Sequence, residues 1–381
     1  MVLVTTTLLG LINSADVRSE ATPEEIARRT PPVHRPPGPE YAADARAFQG
    51  IPGLERASNG RLWATWYGGG PGEGPENYIM LASSGDDGQT WSRVLLVIDP
   101  PNEGRAFDPC LWHDPSGRLW LFWAQAHHFI DAVSTWAMVT EQSDVPEPAW
   151  SQPRRLFNGV MMNKPTVLAS GEWLLPAAIW RRAGSCRVMR STDEGQSFEL
   201  IGTATVPEEK DRNPDEPMIV QRNDGSLLMW VRTGYGIGQS TSTDGGSTWT
   251  DVAPTGIAHP NARFFLRRLE SGNLLLVKHG SLDKRSKRSH LTAYVSNDDG
   301  KTWGGGLLLD ERTGVSYPDG VQTPDGKLYL IYDFDRMGEK QILMATFTEA
   351  DAAAGKEVTD EIRLRVLVNQ ATGRPLDSAA P

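Results

Sequence analysis

Six short phrases recur along this chain, each a glycine followed by an apolar, strand-like run: "NGRLWATW", "SGRLWLFW", "SGEWLLPA", "DGSLLMWV", "SGNLLLVK" and "DGKLYLIY". Their glycines are Gly60, Gly117, Gly171, Gly225, Gly272 and Gly326, so successive copies lie 57, 54, 54, 47 and 54 residues apart. A glycine between two apolar runs marks a tight hairpin, because it accepts positive φ without a Cβ clash. No helical period interrupts the units, and a length near 50 residues holds about four short strands. One such sheet cannot cover its own apolar faces, but six can cover each other by packing radially around an axis. The pattern predicts an all-β fold, a six-bladed β-propeller with negligible helix, closed as one domain.

A second phrase, Ser-x-Asp-x-Gly-x-Thr-Trp, begins at Ser84, Ser242 and Ser296, with a variant at Ser191 ending in Phe198. A degenerate copy, "SDVPEPAW", ends at Trp150. The Asp and Ser side chains can bond nearby backbone N–H groups and the aromatic can bury beside the next strand. This phrase is expected to staple a turn and to do no chemistry.

The propeller is assigned to residues 41–350, with an N-terminal arm over 1–40 and a C-terminal extension over 351–381 holding a late strand, "RLRVLV". The opening apolar run has no basic residues before it, which argues against a signal peptide and leaves the compartment open. A net charge of −10 with no basic run excludes nucleic acid as the expected partner. No apolar stretch is long enough to span a membrane. Two cysteines supply neither a disulfide framework nor a metal site, and no cofactor or metal is expected. Oligomeric state is not readable.

In a propeller the head of each first strand opens at one mouth of the central channel. Nine residues before the hairpin glycine stand Ile51, Asp108, Glu216, Arg263 and Tyr317, with Lys164 in the shorter third unit. All but Arg263 precede proline. Seven residues after the glycine stand Tyr67, Ala124, Ala178, Arg232, His279 and Asp333. Mixed charges converging on one mouth suit an acidic sugar, with arginine as the planar fork for its carboxylate. Arg181 and Arg182 could add to that field, and His279 could act as a base near neutral pH. His127 and His128 are adjacent, a poor arrangement for a metal pair. "GGGPGEGP" over 68–75 reads as a rim loop, not a phosphate loop. Trp66, Trp112, Trp123, Trp180 and Trp230 read as blade core, and Cys110 as buried and inert.

These features together resemble the sialidase (neuraminidase) family over roughly residues 45–347. "DEPMIVQRNDGSLLMWVR" is similar to the family segment that pairs a glutamate with a carboxylate-binding arginine, which maps Glu216 and Arg232. "RSHLTAYVSNDDGKTW" maps a second such arginine onto Arg288, "GVSYPDGVQTPDGKLYLIYD" maps the nucleophilic tyrosine onto Tyr317, and "FDPCLWHDPSGRLWLFW" maps a pocket aspartate onto Asp108. The resemblance implies exo-hydrolysis of a terminal acidic sugar, with Tyr317 as nucleophile and Glu216 as its base; sialidases depart from the two-carboxylate glycosidase rule in this way.

Two phrases depart from the family pattern. Where the family has "(F/Y)RIP" with its first arginine, this chain reads "FQGIP", with Gln49 and Gly50. Arg46 and Arg263 are the expected stand-ins. The loop that carries the family's acid/base aspartate has no aspartate here, so Glu73 or Glu76 is expected to serve. Lys164 and Tyr67 complete the expected binding set. Two further readings keep the propeller: a rhamnosidase or lyase acting on a rhamnose–uronate linkage, with His279 as base, and a glycan-binding module without turnover.

Overall fold

A computed structural model describes residues 21–101, 103–127 and 132–374 of the chain. The described residues form six antiparallel sheets, each built on four consecutive strands paired in sequence order. Their innermost strands are Phe48–Arg56, Arg105–His113, Thr166–Val167, Met218–Gln221, Phe265–Arg268 and Val315–Gln322. This is a six-bladed β-propeller. Helix is confined to Pro23–Arg28, Glu349–Ala354 and a few 3₁₀ turns among the described residues.

Each repeated glycine closes the hairpin between the first two strands of its blade. All six lie at φ between +83° and +95°, and each N–H bonds the carbonyl three residues earlier. Only glycine holds this conformation at little cost.

The apolar faces of the strands form six clusters, one at each blade interface. The cluster that closes the ring joins Leu54, Leu62, Trp66 and Met80 of blade one to Tyr329, Ile331, Ile342 and Met344 of blade six. Among the described residues no strand is exchanged between these blades. Two carboxylates reinforce the seam instead: Asp319 accepts from the Leu54 N–H at 2.9 Å, and Asp333 from the Ile51 N–H at 2.8 Å. Trp66, Trp112, Trp123 and Trp230 are buried in these clusters, as is Cys110, and Trp180 packs against one of them.

The outer parts of the chain also belong to the ring. Arg363–Gln370, beyond the boundary drawn at residue 350, is the outermost strand of blade six. Val33–His34 of the N-terminal arm adds a fifth strand to blade one. The arm's helix packs on blade two, where Gln125 Nε2 bonds the Ile26 and Arg29 carbonyls and Trp136 Nε1 bonds that of Ala27. No helix among the described residues is long and apolar enough to cross a membrane. The opening run weighed as a signal peptide, and His128, lie outside the described residues.

Strand register separates the two ends of the ring. In blade one Phe48 pairs with Gly69 and Gly69 with Asn77, whereas Arg56 pairs with Leu62 and Leu62 with Ser84. The hairpin glycines and the four Asp boxes therefore share one end, opposite the heads of the innermost strands. In each box the Ser hydroxyl donates to the Asp and receives the Gly N–H, as in Ser84–Asp86 (2.7 Å) and Gly88–Ser84 (2.9 Å). Bonds from Thr90, Ser197, Thr248 and Thr302 hold the four box carboxyls at about 2. Trp249 Nε1 closes its own box on the Gly246 carbonyl.

These carboxyls lie below their unfolded value near 4, so the stability they contribute is present above about pH 4 and lost as pH falls toward 2. Thermal melts should show Tm dropping across that window. Asp244→Ala should lower Tm at neutral pH with kcat/KM unchanged, and an activity loss at constant Tm would overturn the structural role of the box.

Candidate active site

Four innermost strands start alike. Ile51, Asp108, Glu216 and Tyr317 each precede a proline and each lie in the left-handed region, at φ of 58°, 50°, 46° and 53°. In blades one, two and six the pairing slips across this point. Such a bulge breaks the in–out alternation of the strand and re-aims one side chain. Left-handed backbone costs a non-glycine residue about 1–3 kcal/mol and is typical of functional sites.

Three of the expected side chains meet at the mouth. Tyr317 Oη donates to Glu216 Oε1 at 3.1 Å. Arg232 Nη1 donates to the same carboxylate oxygen at 2.7 Å and to Tyr317 Oη at 3.1 Å. Arg232 is itself oriented by Asn261, which accepts from its Nε at 2.7 Å and donates to Asn213 at 2.7 Å. All three side chains are buried. Burial and Glu216 push the Tyr317 phenol up, although Arg232, Arg288 and Arg336 pull it down. Glu216 raises Arg232 against the effect of burial. The phenol is thus neutral at rest, with an acceptor and a cation already in contact.

Two more guanidinium groups flank the ring of Tyr317, Arg288 at 5.5 Å and Arg336 at 5.3 Å from its centre. Arg288 is lightly held, with bonds of 3.4 Å to Ser316 and 3.5 Å to the Asn261 carbonyl. Asp108 is buried close by and makes no hydrogen bond to the described residues. Burial, reinforced by Glu216 and Glu73 and opposed by Arg105 and Arg263, pushes its carboxyl up to about 8. Tyr67 is buried beside Phe48 and Phe107, and its phenol is likewise raised by burial.

Other expected residues are placed elsewhere. Lys164 and Arg263 share the alignment column of Asp108 but not its left-handed backbone, and their side chains stitch the channel. Lys164 Nζ bonds the Leu54 and Leu111 carbonyls at 2.6 and 2.7 Å and pairs with Glu55 and Asp319. Arg263 bonds Asn163 Oδ1, the Pro318 carbonyl and Asp319. Arg46 lies under blade one on Gln49, the Tyr41 carbonyl and Asn369. His279 is fully buried: one ring nitrogen meets the Val315 carbonyl at 2.9 Å and the other meets His259 at 3.2 Å. The first must donate, so the second must accept from His259. Burial pushes His279 down to about 3, and it holds no lone pair for a substrate proton. Glu73 is paired with Arg336 at 2.7 Å. Glu76 curls back over Gly70, while Arg181 and Arg182 are solvent-exposed. His127 pairs with Glu103.

Sequence reading missed Arg336 and Arg105. Arg105 is buried with its guanidinium 4.0 Å from the Phe107 ring centre. Neither residue lies in an alignment column, and only the paired strands carry them to the mouth. Among the described residues no group of three His, Cys, Asp or Glu side chains is placed to hold a metal.

The family model described as BNR repeat-like domain matches residues 60–330. A sialidase from Micromonospora viridifaciens is 25% identical over 279 residues, 70% of this chain and 36% of that one. This chain covers 25% and 36% of the lengths of the curated relatives it matches. Among solved structures, a leech intramolecular trans-sialidase superposes with a TM-score of 0.64 at 15% identity, over 88% of this chain and 71% of that one. An α-L-arabinofuranosidase from Fusarium graminearum superposes with a TM-score of 0.58 at 13% identity, over 85% and 99%. At these identities the likeness is one of fold, and it spans enzymes named for different sugars.

Asp108 generates a pH signature. Its folded-state value of about 8 lies above the unfolded value near 4. The protonated form is favoured in the folded protein, so this contribution to stability is complete below about pH 4 and lost as pH rises to about 8. Tm measured from pH 4 to 9 should fall further in the wild type than in Asp108→Asn. Parallel profiles would show that Asp108 ionises normally.

Proposed function

From a chain that belongs to the BNR repeat-like domain family, and whose glycoside-hydrolase fold is shared with sialidases, we propose an exo-acting glycosidase of the sialidase type that removes a terminal acidic sugar. The bonded set Tyr317–Glu216–Arg232 carries this reading. A neutral phenol approaches a substrate carboxylate without charge repulsion. As its oxygen attacks the anomeric carbon, the proton passes along the existing bond to Glu216 Oε1. Arg232 Nη1 contacts both oxygens and stabilises the negative charge as it develops. A glycosyl–tyrosine intermediate forms as the leaving oxygen departs. Water then attacks that intermediate and gives a proton to the carboxylate left by the leaving-group acid; the tyrosine oxygen departs, takes its proton back from Glu216, and the sugar is released.

The leaving oxygen needs a proton donor. We assign this role to Asp108, which is protonated at neutral pH and makes no hydrogen bond to the described residues. Of the two acids expected from the sequence, Glu73 is engaged by Arg336 and Glu76 curls back over Gly70. The substrate carboxylate is assigned to the Arg288 guanidinium and to Nη2 of Arg232, the nitrogen that Glu216, Tyr317 and Asn261 leave open among the described residues. The rhamnose–uronate reading with His279 as base loses its base to burial. A binding module has no use for a phenol already bonded to a carboxylate and a guanidinium.

Turnover should be measured on aryl sialosides, aryl rhamnosides and uronate-terminated oligosaccharides. Activity is expected on an acidic glycoside. Glu216→Gln should reduce kcat by about 10²–10⁴-fold, the range for general base catalysis. Arg232→Ala should weaken kcat/KM by about 1.5–3 kcal/mol on the acidic substrate, and Arg232→Lys should rescue little. Full activity in Tyr317→Phe would remove the phenol as nucleophile. Equal losses on charged and neutral substrates would confine Arg232 to the Tyr317–Glu216 pair and remove it from carboxylate binding.

A further inference from the structure

Gly50 stands where the sialidase phrase carries its first arginine, and the space beside it is filled. A Cβ built on Gly50 would overlap Arg336 Cδ, approach Arg336 Cγ to 2.6 Å and Asp333 Oδ2 to 2.9 Å. The Gly50 backbone is not left-handed, so its conformation would accept a side chain. The obstacle is Arg336, which enters from blade six across the ring seam.

That approach is built in. Gln49, fully buried, receives the Arg336 carbonyl on its backbone N–H at 3.2 Å and donates its Nε2 to the Lys340 carbonyl at 2.6 Å. Its Oε1 is fixed by Arg46 at 3.2 Å and Trp66 at 3.1 Å. Lys340 Nζ and Asp335 cap the same turn from within. "QG" therefore forms a matched pair: Gln49 clamps the turn that carries Arg336, and Gly50 leaves room for its stem. Beyond that stem the guanidinium lies over the Tyr317 and Phe48 rings. Asp333, Tyr317 and Glu73 raise Arg336 despite burial, so it stays charged.

We infer that Arg336 is the third carboxylate-binding guanidinium of the site, delivered from blade six in place of the arginine absent at Gly50. This rests on the reading of the mouth as an acid-sugar site. Glu73 pairs with Arg336 from a partly exposed position. A substrate carboxylate would exchange with it, one carboxylate for another, and exposed ion pairs of this kind are weak. With Arg232 and Arg288 this places three cations around the Tyr317 ring, from blades four, five and six. Arg46, the nearer candidate in sequence, acts only as a positioning residue through Gln49.

The test uses the full chain and thermal shift titrations with N-acetylneuraminic acid and glucuronic acid, each beside its methyl ester. Aryl sialoside turnover is measured in parallel. Arg336→Ala should weaken binding of the free acid about ten- to a hundredfold, the scale of one charge-assisted hydrogen-bonding group, and leave the ester unchanged. Gly50→Ala should reproduce this by expelling the Arg336 stem, and the double variant should be no worse than either single, because both remove one interaction. Gly50→Arg combined with Arg336→Ala should recover part of the acid binding. If Arg336→Ala fails to fold, Arg336→Lys carries the test and should lose the acid selectively. Equal stabilisation of wild type and Arg336 variants by an acid would overturn the inference and leave the acid-sugar reading standing. An acid that never stabilises the wild type would overturn both. Additive losses in the Gly50 and Arg336 singles would detach Gly50 from the arginine's placement.

Discussion

A left-handed residue in front of a proline heads the innermost strand in four of the six blades, and the chemistry of the mouth depends on it. The six aligned positions sort by this backbone state. Asp108, Glu216 and Tyr317 have it and meet at the site, while Ile51 has it and joins the apolar wall around Tyr317. Lys164 and Arg263 lack it and run into the channel to bond carbonyls and Asp319. A strand in strict alternation would aim all six the same way. The strain at four positions is sustained because hairpins and blade interfaces over-determine the strands that follow.

Charge is partitioned along the same lines. Inside the channel, Lys164, Arg263, Glu55 and Asp319 saturate one another and hold neighbouring blades in register. Lys164, opposing the cost of burial, keeps Glu55 at about 2. At the mouth the pairing is incomplete. Asp108 has no hydrogen-bonding partner among the described residues, Arg288 is held by long bonds, and Arg336 pairs with Glu73, a partly exposed carboxylate from a glycine-rich loop, while Asp333 supports its charge from behind. Saturated ions rigidify a scaffold, whereas unsaturated ones near an opening are available to a ligand. The Asp boxes lie at the opposite end, which explains how a phrase so frequent can be irrelevant to the reaction.

The seam between blades six and one combines closure with function. Propellers without an exchanged strand must hold their first and last blades by packing, and here Asp319 and Asp333 add bonds to the Leu54 and Ile51 amides. Asp333 also accepts from Ser316, the neighbour of Tyr317, at 2.9 Å, and it supports the charge on Arg336. The contacts that close the ring thus also set the phenol and one guanidinium.

The architecture was legible in the chain because it is periodic: a glycine every 50 or so residues, an apolar run after it, and a box at the far turn all express local backbone chemistry. The same alignment singled out Glu216, Arg232 and Tyr317, whose side chains are in hydrogen-bond contact, since each blade repeats one local geometry and a column of a repeat is a position in space. It could not separate Asp108 from Lys164, because φ at a residue before proline is decided by the strand pairing around it. It read His279 as a ring base, whereas its surroundings, His259 and the Val315 carbonyl, come from other segments. It sought a substitute for the missing arginine nearby in sequence, at Arg46, or in the same column, at Arg263. Arg336 is neither, and it reaches Gly50 only because a closed ring makes the last blade the neighbour of the first. Local turn chemistry is written in sequence; adjacency across a closure is created by folding.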